Sequence, residues 1–241
     1  MRDAAHHHEE LKEMSTNVLP INLGFVNAYL LKAGEEYVLI DTGLAGQWDA
    51  LNEGLKSRGC YPGLLKAVIL THGDPDHSGN CSRLKQTYRA PIAVHPLDSG
   101  ALERGERPQR TVRTLSARIA FGLLGVLRSL RRRKPVAPEH CTPDVLLENG
   151  QSLAEYGLAA TVYHLPGHTK GSVGIVTDEG DFFAGDLFTN RRRPALSPFV
   201  ECFDEYRQSI EKVKELAGRI KTVYPGHGSS FTADRLAALS L

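Results

Sequence analysis

The sequence predicts an α+β fold in which two mixed β-sheets pack face to face and helices cover the outside. Short apolar runs with β-branched residues recur along the chain and are typical of buried strands. These runs form two similar halves, each with helical segments beside its strands. Hydrophobic residues make up 41% and charged residues 24% of the 241-residue chain, an ordinary balance for one large globular domain.

The individual elements follow from apolar periodicity and from the turn residues between them. In the first half, strands are predicted near residues 18–22, 26–32, 36–41, 66–71 and 92–95, and helices near 46–58 and 80–89. In the second half, strands are predicted near residues 145–147, 158–165, 172–177, 181–185 and 221–224, and a helix near 204–218. His95 and His164 each end a strand, and we interpret both as structural histidines.

The segment Thr71–His77 holds the densest group of metal-binding side chains, with two imidazoles and two carboxylates. It follows an apolar strand and precedes a helix, so its donors are expected at one edge of a sheet. Imidazole and carboxylate groups are the ligands that borderline divalent metals accept. The alternative is a solvated polar turn, which this density of donors disfavours.

Three further donors lie where an apolar strand is predicted to run into a glycine-rich turn. They are His168 in Pro-Gly-His-Thr, Asp186 in Ala-Gly-Asp and His227 in Pro-Gly-His-Gly. Glycines beside the donors allow sharp turns and leave room for a ligand. The complete set of candidate ligands is His72, Asp74, Asp76, His77, His168, Asp186 and His227. Such a set suits two metal ions that share a bridging carboxylate and keep an open position for water.

These motifs and Asp41-Thr42-Gly43 occur along the chain in the order that is typical of one family. The chain resembles the metallo-β-lactamase fold superfamily of metallohydrolases, in its glyoxalase II-like or lactonase-like branch. The resemblance implies a four-layer αββα sandwich with the metals at one edge. It assigns the first metal to His72, Asp74 and His168. It assigns the second metal to Asp76, His77 and His227, with Asp186 bridging. It also implies that Asp41 fixes the turn near the metal loop rather than binding a metal.

One residue departs from the family's usual pattern, because Asp74 stands where a histidine is usual. A carboxylate is a harder donor than an imidazole and adds negative charge, which favours iron or manganese more than an all-imidazole site would. We therefore expect two divalent metal ions, with zinc first and iron or manganese as alternatives. A related branch with a carboxylate at this position holds two irons, so a di-iron oxidoreductase is the rival function.

The site predicts hydrolysis of an ester, lactone or thioester bond in a small-molecule substrate. Two cations that share a water lower its pKa towards neutrality and hold hydroxide ready to attack. Asp76 is the candidate catalytic residue, since its carboxylate can orient the nucleophile and assist the leaving group with a proton. A phosphoester hydrolase of the same fold is a further alternative.

Composition adds further expectations about location and partners. The net charge of +1 gives no indication of a nucleic-acid partner, and no run approaches the roughly 20 apolar residues of a membrane span. Four scattered cysteines, at positions 60, 81, 141 and 202, favour reduced thiols in a cytoplasmic protein. Residues 1–17 are polar and show no secretory signal, so we expect a flexible tail there and a domain at 18–241. His6–His8 within this tail is either a tag remnant or native.

A basic insertion is predicted at about residues 98–140, which contain ten Lys or Arg and four Asp or Glu. Apolar residues recur there at helical spacing, namely Leu115, Ile119, Leu123, Leu127 and Leu130. By family resemblance, this helical insertion covers the active site. Three interpretations stay open: a solvated basic helix, a lid that selects an amphiphilic or anionic substrate, and a contact to a membrane surface or nucleic acid.

Overall fold

Two mixed β-sheets lie at the centre of the protein in the computed structural model, which describes residues 17–106, 110–112, 136–137 and 139–239. The first sheet comes from the N-terminal half. Its strands are β1 (Asn17–Asn22), β2 (Asn27–Ala33), β3 (Glu36–Ile40), β4 (Leu65–Ile69), β5 (Ile92–Val94) and β7 (Val145–Leu146). The strand β6 (Thr111–Val112) lies between β5 and β7 in the chain but outside this sheet. They lie in the order β1-β2-β3-β4-β5-β7. The first three are antiparallel neighbours, and the pairs from β3 to β7 are parallel.

The second sheet comes from the C-terminal half. Its strands are β8 (Ala160–His164), β9 (Val173–Thr177), β10 (Asp181–Asn190), β11 (Ala195–Leu196), β13 (Thr222–Gly228) and β14 (Phe231–Thr232). The strand β12 (Phe199–Val200) lies outside this sheet. Their order is β14-β13-β10-β9-β8, with β11 paired to β10. Only β10 and β13 are parallel neighbours among the described strands of this sheet. β12 pairs with β6 in a small two-stranded sheet.

The helices lie outside the two sheets. They are α1 (Trp48–Lys56), α2 (Pro75–Ser78), α3 (Cys81–Tyr88), α4 (Ser99–Arg104) and α5 (Phe203–Glu215). Short 3₁₀ turns occur at Ala45–Gln47, Pro96–Asp98, Ala154–Tyr156 and Ala233–Ala238. The helix α5 buries Tyr206, Ile210 and Val213, whose spacing places them on one face of the helix. The predicted helices near 46–58, 80–89 and 204–218 are thus present.

Three buried clusters separate these layers. Leu31 and Ile40 of the first sheet meet Ile175 and Phe183 of the second in the cluster between the sheets. The neighbouring residue Leu30 points the other way and joins the cluster under α1 and α3, and a third cluster lies under α5. Burying each such side chain contributes roughly 1.5–3 kcal/mol. The predicted four-layer αββα sandwich is confirmed, and strands buried on both faces explain the continuous apolar runs.

Two predicted strand ends were wrong in a way that matters for the site. β10 continues to Asn190 and β13 to Gly228, so Asp186 and His227 lie inside strands rather than in turns. The parallel pairing of β10 with β13 persists past Gly185, where the register shifts and the backbone adopts a φ of 50°. A bulge of this kind re-aims side chains without ending the strand.

Some predictions fall on residues that the structure does not describe. The apolar stripe Leu115–Leu130 of the basic insertion and the tail before Asn17 lie outside the described residues. Among the residues that are described, no helix is long and apolar enough to cross a membrane.

Candidate metal centre

The segment after β4 positions four of the predicted ligands. His72 and Asp74 lie in the loop that follows the strand, and Asp76 and His77 lie in α2. Pro75 is the first helical residue, where its fixed φ suits the helix and its missing N–H leaves no donor unpaired. The local sequence therefore places four donors in one short loop and helix.

Two clusters of three metal-binding groups form at one edge of the sandwich. The first consists of His72, His168 and Asp186. The second consists of Asp76, His77 and His227. Within each cluster, the donor atoms all lie within 4.8 Å of one another. Tertiary structure thus brings together donors from the segment after β4, from β10, from β13 and from the loop after β8.

Asp186 lies between the two clusters. Its Oδ1 is 3.3 Å from Nε2 of His77. Its Oδ2 is 3.3 Å from Nε2 of His227 and 3.6 Å from Nε2 of His168. One carboxylate therefore faces imidazoles of both clusters, as a bridging ligand would.

The buried polar atoms of this site fit divalent metal ions. Nε2 of His72, Nε2 of His77 and Oδ1 of Asp186 are buried without a hydrogen-bond partner. A buried polar atom left unpaired costs about 1–3 kcal/mol, so such atoms need an explanation. Imidazole nitrogens and carboxylate oxygens that converge on one point are the donors of divalent-metal sites.

The four imidazoles are each held through Nδ1. The oxygen contacts are Thr71 Oγ1 with His72 at 3.0 Å, Asp41 Oδ2 with His77 at 2.8 Å, the Phe199 carbonyl with His168 at 3.0 Å and the Phe25 carbonyl with His227 at 2.7 Å. A proton on Nδ1 leaves the Nε2 lone pair facing the cluster. The rings are therefore oriented before any metal binds.

Asp41 is placed where the family resemblance expects it. Its carboxylate accepts hydrogen bonds from the Thr71 backbone at 2.9 Å and from the Thr71 hydroxyl, as well as contacting His77. Asp41 has a φ of 60°, an uncommon value for a residue with a side chain. It holds the turn and the His77 ring without belonging to either cluster.

Asp74 lies beside the first cluster but outside the group of three. Its Oδ2 is 3.4 Å from Nε2 of His72 and 3.3 Å from Nε2 of His168. Both of its oxygens also accept hydrogen bonds from the Arg110 guanidinium. Burial opposes ionisation, but the close contacts with His168 and His72 and the hydrogen bonds from Arg110 hold the pKa of Asp74 well below its usual range. Nothing in the sequence distinguishes Arg110 from its neighbouring arginines.

Asp98 is a site residue that the motifs do not reveal. Its Oδ2 accepts hydrogen bonds from the Gly73 backbone and the Thr169 hydroxyl, both at 2.8 Å. Its Oδ1 accepts from the Gly171 backbone at 2.9 Å. Asp98 is 6% exposed and ties the loop of His72 to the loop after β8. The available signal was an acidic residue in the turn after β5, the strand next to β4, whose following segment carries the metal motif.

The carboxylates of the clusters are held in their ionised form. Burial raises the pKa of Asp186, but His227 and His77 outweigh it and leave the pKa well below its usual range. Burial also raises the pKa of Asp76, but His227 and His77 lower it overall. Both shifts favour the ionised carboxylate, the form in which a carboxyl group can bind a metal.

His95 and His164 behave as the sequence interpretation expects. Their rings stack at 4.0 Å with an interplanar angle of 11°. Nδ1 of His95 accepts a hydrogen bond from the Leu97 backbone, and Nε2 of His164 contacts the Lys170 carbonyl. The four cysteines are free thiols, and none lies in either cluster.

The fold and these clusters define the chain as a metal-dependent hydrolase. The sequence profile of the metallo-beta-lactamase superfamily matches residues 21–227, and the chain belongs to this superfamily. The acyl-coenzyme A thioesterase MBLAC2 of Bos taurus is 29% identical over 232 residues, which cover 89% of this chain and 77% of the relative. An uncharacterized protein of Mycobacterium leprae is 29% identical over 211 residues, covering 86% of this chain and 88% of the relative.

The fold is also similar to that of solved structures. The crystal structure of the B3 metallo-beta-lactamase BLEG-1 has a TM-score of 0.65 and 24% identity, covering 91% of this chain and 95% of that chain. A metallo-beta-lactamase family protein from Thermus thermophilus has a TM-score of 0.64 and 22% identity, covering 92% of this chain and 78% of that chain. At these identities, the likeness shows the shared fold.

Proposed function

We propose that the chain binds two divalent metal ions and hydrolyses acyl thioesters, with esters and lactones as further substrates. The observation that carries the proposal is the pair of donor clusters, with Asp186 of the first also facing His77 and His227 of the second. The first ion would be held by His72, Asp74 and His168. The second would be held by Asp76, His77 and His227. Zinc is the expected metal, with iron or manganese as alternatives because of the carboxylate of Asp74.

Asp76 is the proposed catalytic residue. When bound, the metal ions supply Lewis acidity and lower the pKa of water in the site. The Asp76 side chain is 23% exposed, against 12% for Asp186, so Asp76 is the more open of the two carboxylates to solvent and to a bound molecule. An ionised carboxylate at this position can accept a proton and pass it to the leaving group.

A cationic and aromatic rim beside the second cluster supports a substrate with an anionic part. The Phe25 ring meets the His227 ring at 4.6 Å, and the Arg191 guanidinium lies 4.2 Å from the centre of the Phe25 ring. Arg191, Arg192 and Arg193 are all exposed. Guanidinium groups recognise phosphates well. This rim suits the phosphorylated carrier of an acyl-coenzyme A, the substrate class named for the MBLAC2 relatives.

The proposal is tested by comparing four substrates with metal-loaded protein. These are a short acyl-coenzyme A, the same acyl group on N-acetylcysteamine, a lactone and a phosphodiester. Hydrolysis of both thioesters is expected, with the lower KM for acyl-coenzyme A. Arg191→Ala should raise the KM for acyl-coenzyme A several-fold and leave the KM for the carrier-free thioester unchanged. Arg207→Ala, on the exposed face of α5, is the matched control and should alter neither value.

Two outcomes would replace this function by its rivals. Phosphodiester cleavage without thioester cleavage would indicate a phosphoester hydrolase. Iron in the isolated protein, with redox activity and no hydrolysis, would indicate a di-iron oxidoreductase, the rival that Asp74 motivates. The free cysteines support our proposal of a cytoplasmic location, where thiols stay reduced.

A further inference from the structure

Arg110 reaches the first cluster from a separate element of the fold. It directly precedes β6, which pairs with β12 through Val112 with Phe199 and Thr111 with Val200. The Phe199 carbonyl in turn contacts Nδ1 of the His168 ring. The small sheet therefore presents both Arg110 and the backbone oxygen that orients His168 to the same cluster.

The contact between Arg110 and Asp74 is a two-point ion pair. One guanidinium nitrogen donates to Oδ2 of Asp74 and another donates to Oδ1. The two side chains are only 18% and 13% exposed, so water screens the pair weakly. The Oδ2 held by Arg110 is also the oxygen nearest to Nε2 of His72 and of His168. The pair thus fixes the orientation of the Asp74 carboxylate, so that one oxygen faces the first cluster.

Arg110 also changes the charge that the cluster presents. With neutral imidazoles, the anionic groups near the first metal position are Asp74 and the shared Asp186. The permanent charge of an arginine cancels that of one carboxylate. A carboxylate that shares its electrons with a guanidinium is also a weaker and less charged donor than a free one.

We propose that Arg110 is a positioning residue that aims Asp74 and cancels its charge, so that this ligand set resembles an all-imidazole set. The inference rests on the proposed assignment of His72, Asp74 and His168 to the first metal. The sequence suggested that the negative charge of Asp74 favours iron or manganese. This inference reverses part of that expectation, because the positive charge of Arg110 offsets the charge of Asp74. Zinc then stays competitive with harder ions at a site that contains a carboxylate.

Metal competition tests this inference directly. Zinc and manganese are titrated against a chromophoric chelator with the wild type, Arg110→Met and Arg110→Lys. In Arg110→Met the carboxylate of Asp74 is no longer paired, so the zinc-to-manganese affinity ratio should move towards manganese by about tenfold. Loss of a group that hydrogen-bonds to a metal ligand typically changes metal affinity on this scale. Arg110→Lys keeps the charge but loses the two-point contact, so it should recover most of the wild-type ratio.

A double-mutant cycle separates charge matching from a merely structural role. In an Asp74→His background Arg110 has no carboxylate at position 74 to pair with. Arg110→Met should then leave the zinc-to-manganese affinity ratio unchanged. Arg104→Met is the matched control, because Arg104 pairs with Glu103 and Glu106 on the surface. It should leave the ratio at the wild-type value. Urea unfolding of each variant shows whether the sandwich is intact.

The outcomes distinguish this inference from the proposed function. If Asp74→His alters metal affinity but Arg110→Met shifts the ratio in neither background, or equally in both, the inference about Arg110 is wrong. If Asp74→His leaves metal affinity unchanged, the assignment of Asp74 as a ligand is wrong. If Arg110→Met fails to fold, Arg110→Gln takes its place, because it removes the charge but keeps a hydrogen-bond donor: a ratio shifted towards manganese supports charge matching, and a wild-type ratio contradicts it.

Discussion

Asp98 illustrates how the site depends on residues that bind no metal. It accepts hydrogen bonds from the backbone of Gly73 and Gly171 and from the hydroxyl of Thr169. All of these donors lie in the two loops that carry His72 and His168. A carboxylate can accept all three bonds at once because both of its oxygens are acceptors. The loops are therefore held at a fixed separation before a metal binds.

Asp98→Asn should loosen this connection. The amide has one acceptor oxygen, so its NH₂ group must face an N–H or hydroxyl donor of a loop. An unmatched buried donor costs about 1–3 kcal/mol, which urea unfolding would measure. Metal affinity should fall as well, by titration against a chelator. Asp178→Asn, at an exposed turn, is the control and should change stability by less than about 0.5 kcal/mol. Equal effects of the two substitutions would contradict this role for Asp98.

At the scale of elements, β13 positions His227, a proposed metal ligand, by coming unusually close to β10 and to α2. A Cβ placed on Gly226 would lie 2.5 Å from Oδ1 of Asp186 and 2.5 Å from Cε1 of His77. Side chains do not tolerate such contacts, so the glycine is required for the two clusters to meet. This is why β13 can remain a strand and still deliver His227 to the site.

Gly226→Ala should push Asp186 and His77 apart. We expect loss of at least one metal per chain and a fall in activity by orders of magnitude, measured by elemental analysis and by the substrate assay. Gly218→Ala is the matched control, because a Cβ there would meet nothing within 4 Å. A Gly226→Ala protein with both metals and wild-type activity would show that the close approach has no role.

The turn after β5 gives the fold a sensitivity to acid. His95 precedes the 3₁₀ turn Pro96–Asp98 and accepts a hydrogen bond from its Leu97 backbone. Burial and then the neighbouring His164 lower the pKa of His95 from 6.5 to about 4. The unfolded chain therefore binds a proton between these values that the folded protein does not bind. The stabilisation is complete above about pH 6.5 and is lost as the pH falls towards about 4.

His95→Asn should reduce this acid sensitivity, because asparagine can accept the same hydrogen bond without titrating. One pKa unit corresponds to about 1.4 kcal/mol, and partial solvent screening leaves about 1–2 kcal/mol for the whole shift. Urea unfolding at pH 7.5 and pH 4.5 would show a smaller loss of stability in the variant than in the wild type. His140→Asn, an exposed position, should leave the wild-type loss unchanged. An unchanged loss in His95→Asn would contradict this account.

At the scale of the whole molecule, the candidate metal centre draws its residues from both halves of the sandwich. The segment after β4 belongs to the first sheet, whereas Asp186 and His227 belong to the second. Ions that bind only the folded state stabilise it by about 2.7 kcal/mol per site at a hundredfold excess over Kd. The sandwich should therefore lose stability when its metals are removed.

Elemental analysis of fully loaded protein should give close to two metals per chain. Chelation should lower the thermal midpoint, and added zinc should restore it. Asp186→Ala should lower the stoichiometry, because it removes the group that faces both clusters, whereas Cys141→Ser, at a buried thiol outside the clusters, should not. A stoichiometry that stays at one with excess metal would rule out the binuclear proposal.

The sequence by itself determined the features whose causes are local. Apolar runs buried on both faces identified most strands and the layered fold, and the donors from His72 to His77 lie in one short loop and helix. The chemistry of Asp186 and His227 was also readable, because glycines lie beside both in the chain.

Only the tertiary structure decided the features that join distant residues. Asp98 is 73 positions from Gly171, and Asp74 is 36 positions from Arg110. The strands β10 and β13 continue past their predicted ends because they pair with each other, which no local pattern encodes. Long-range packing fixes the distances and charges around each donor, whereas the local sequence fixes only which donors are present.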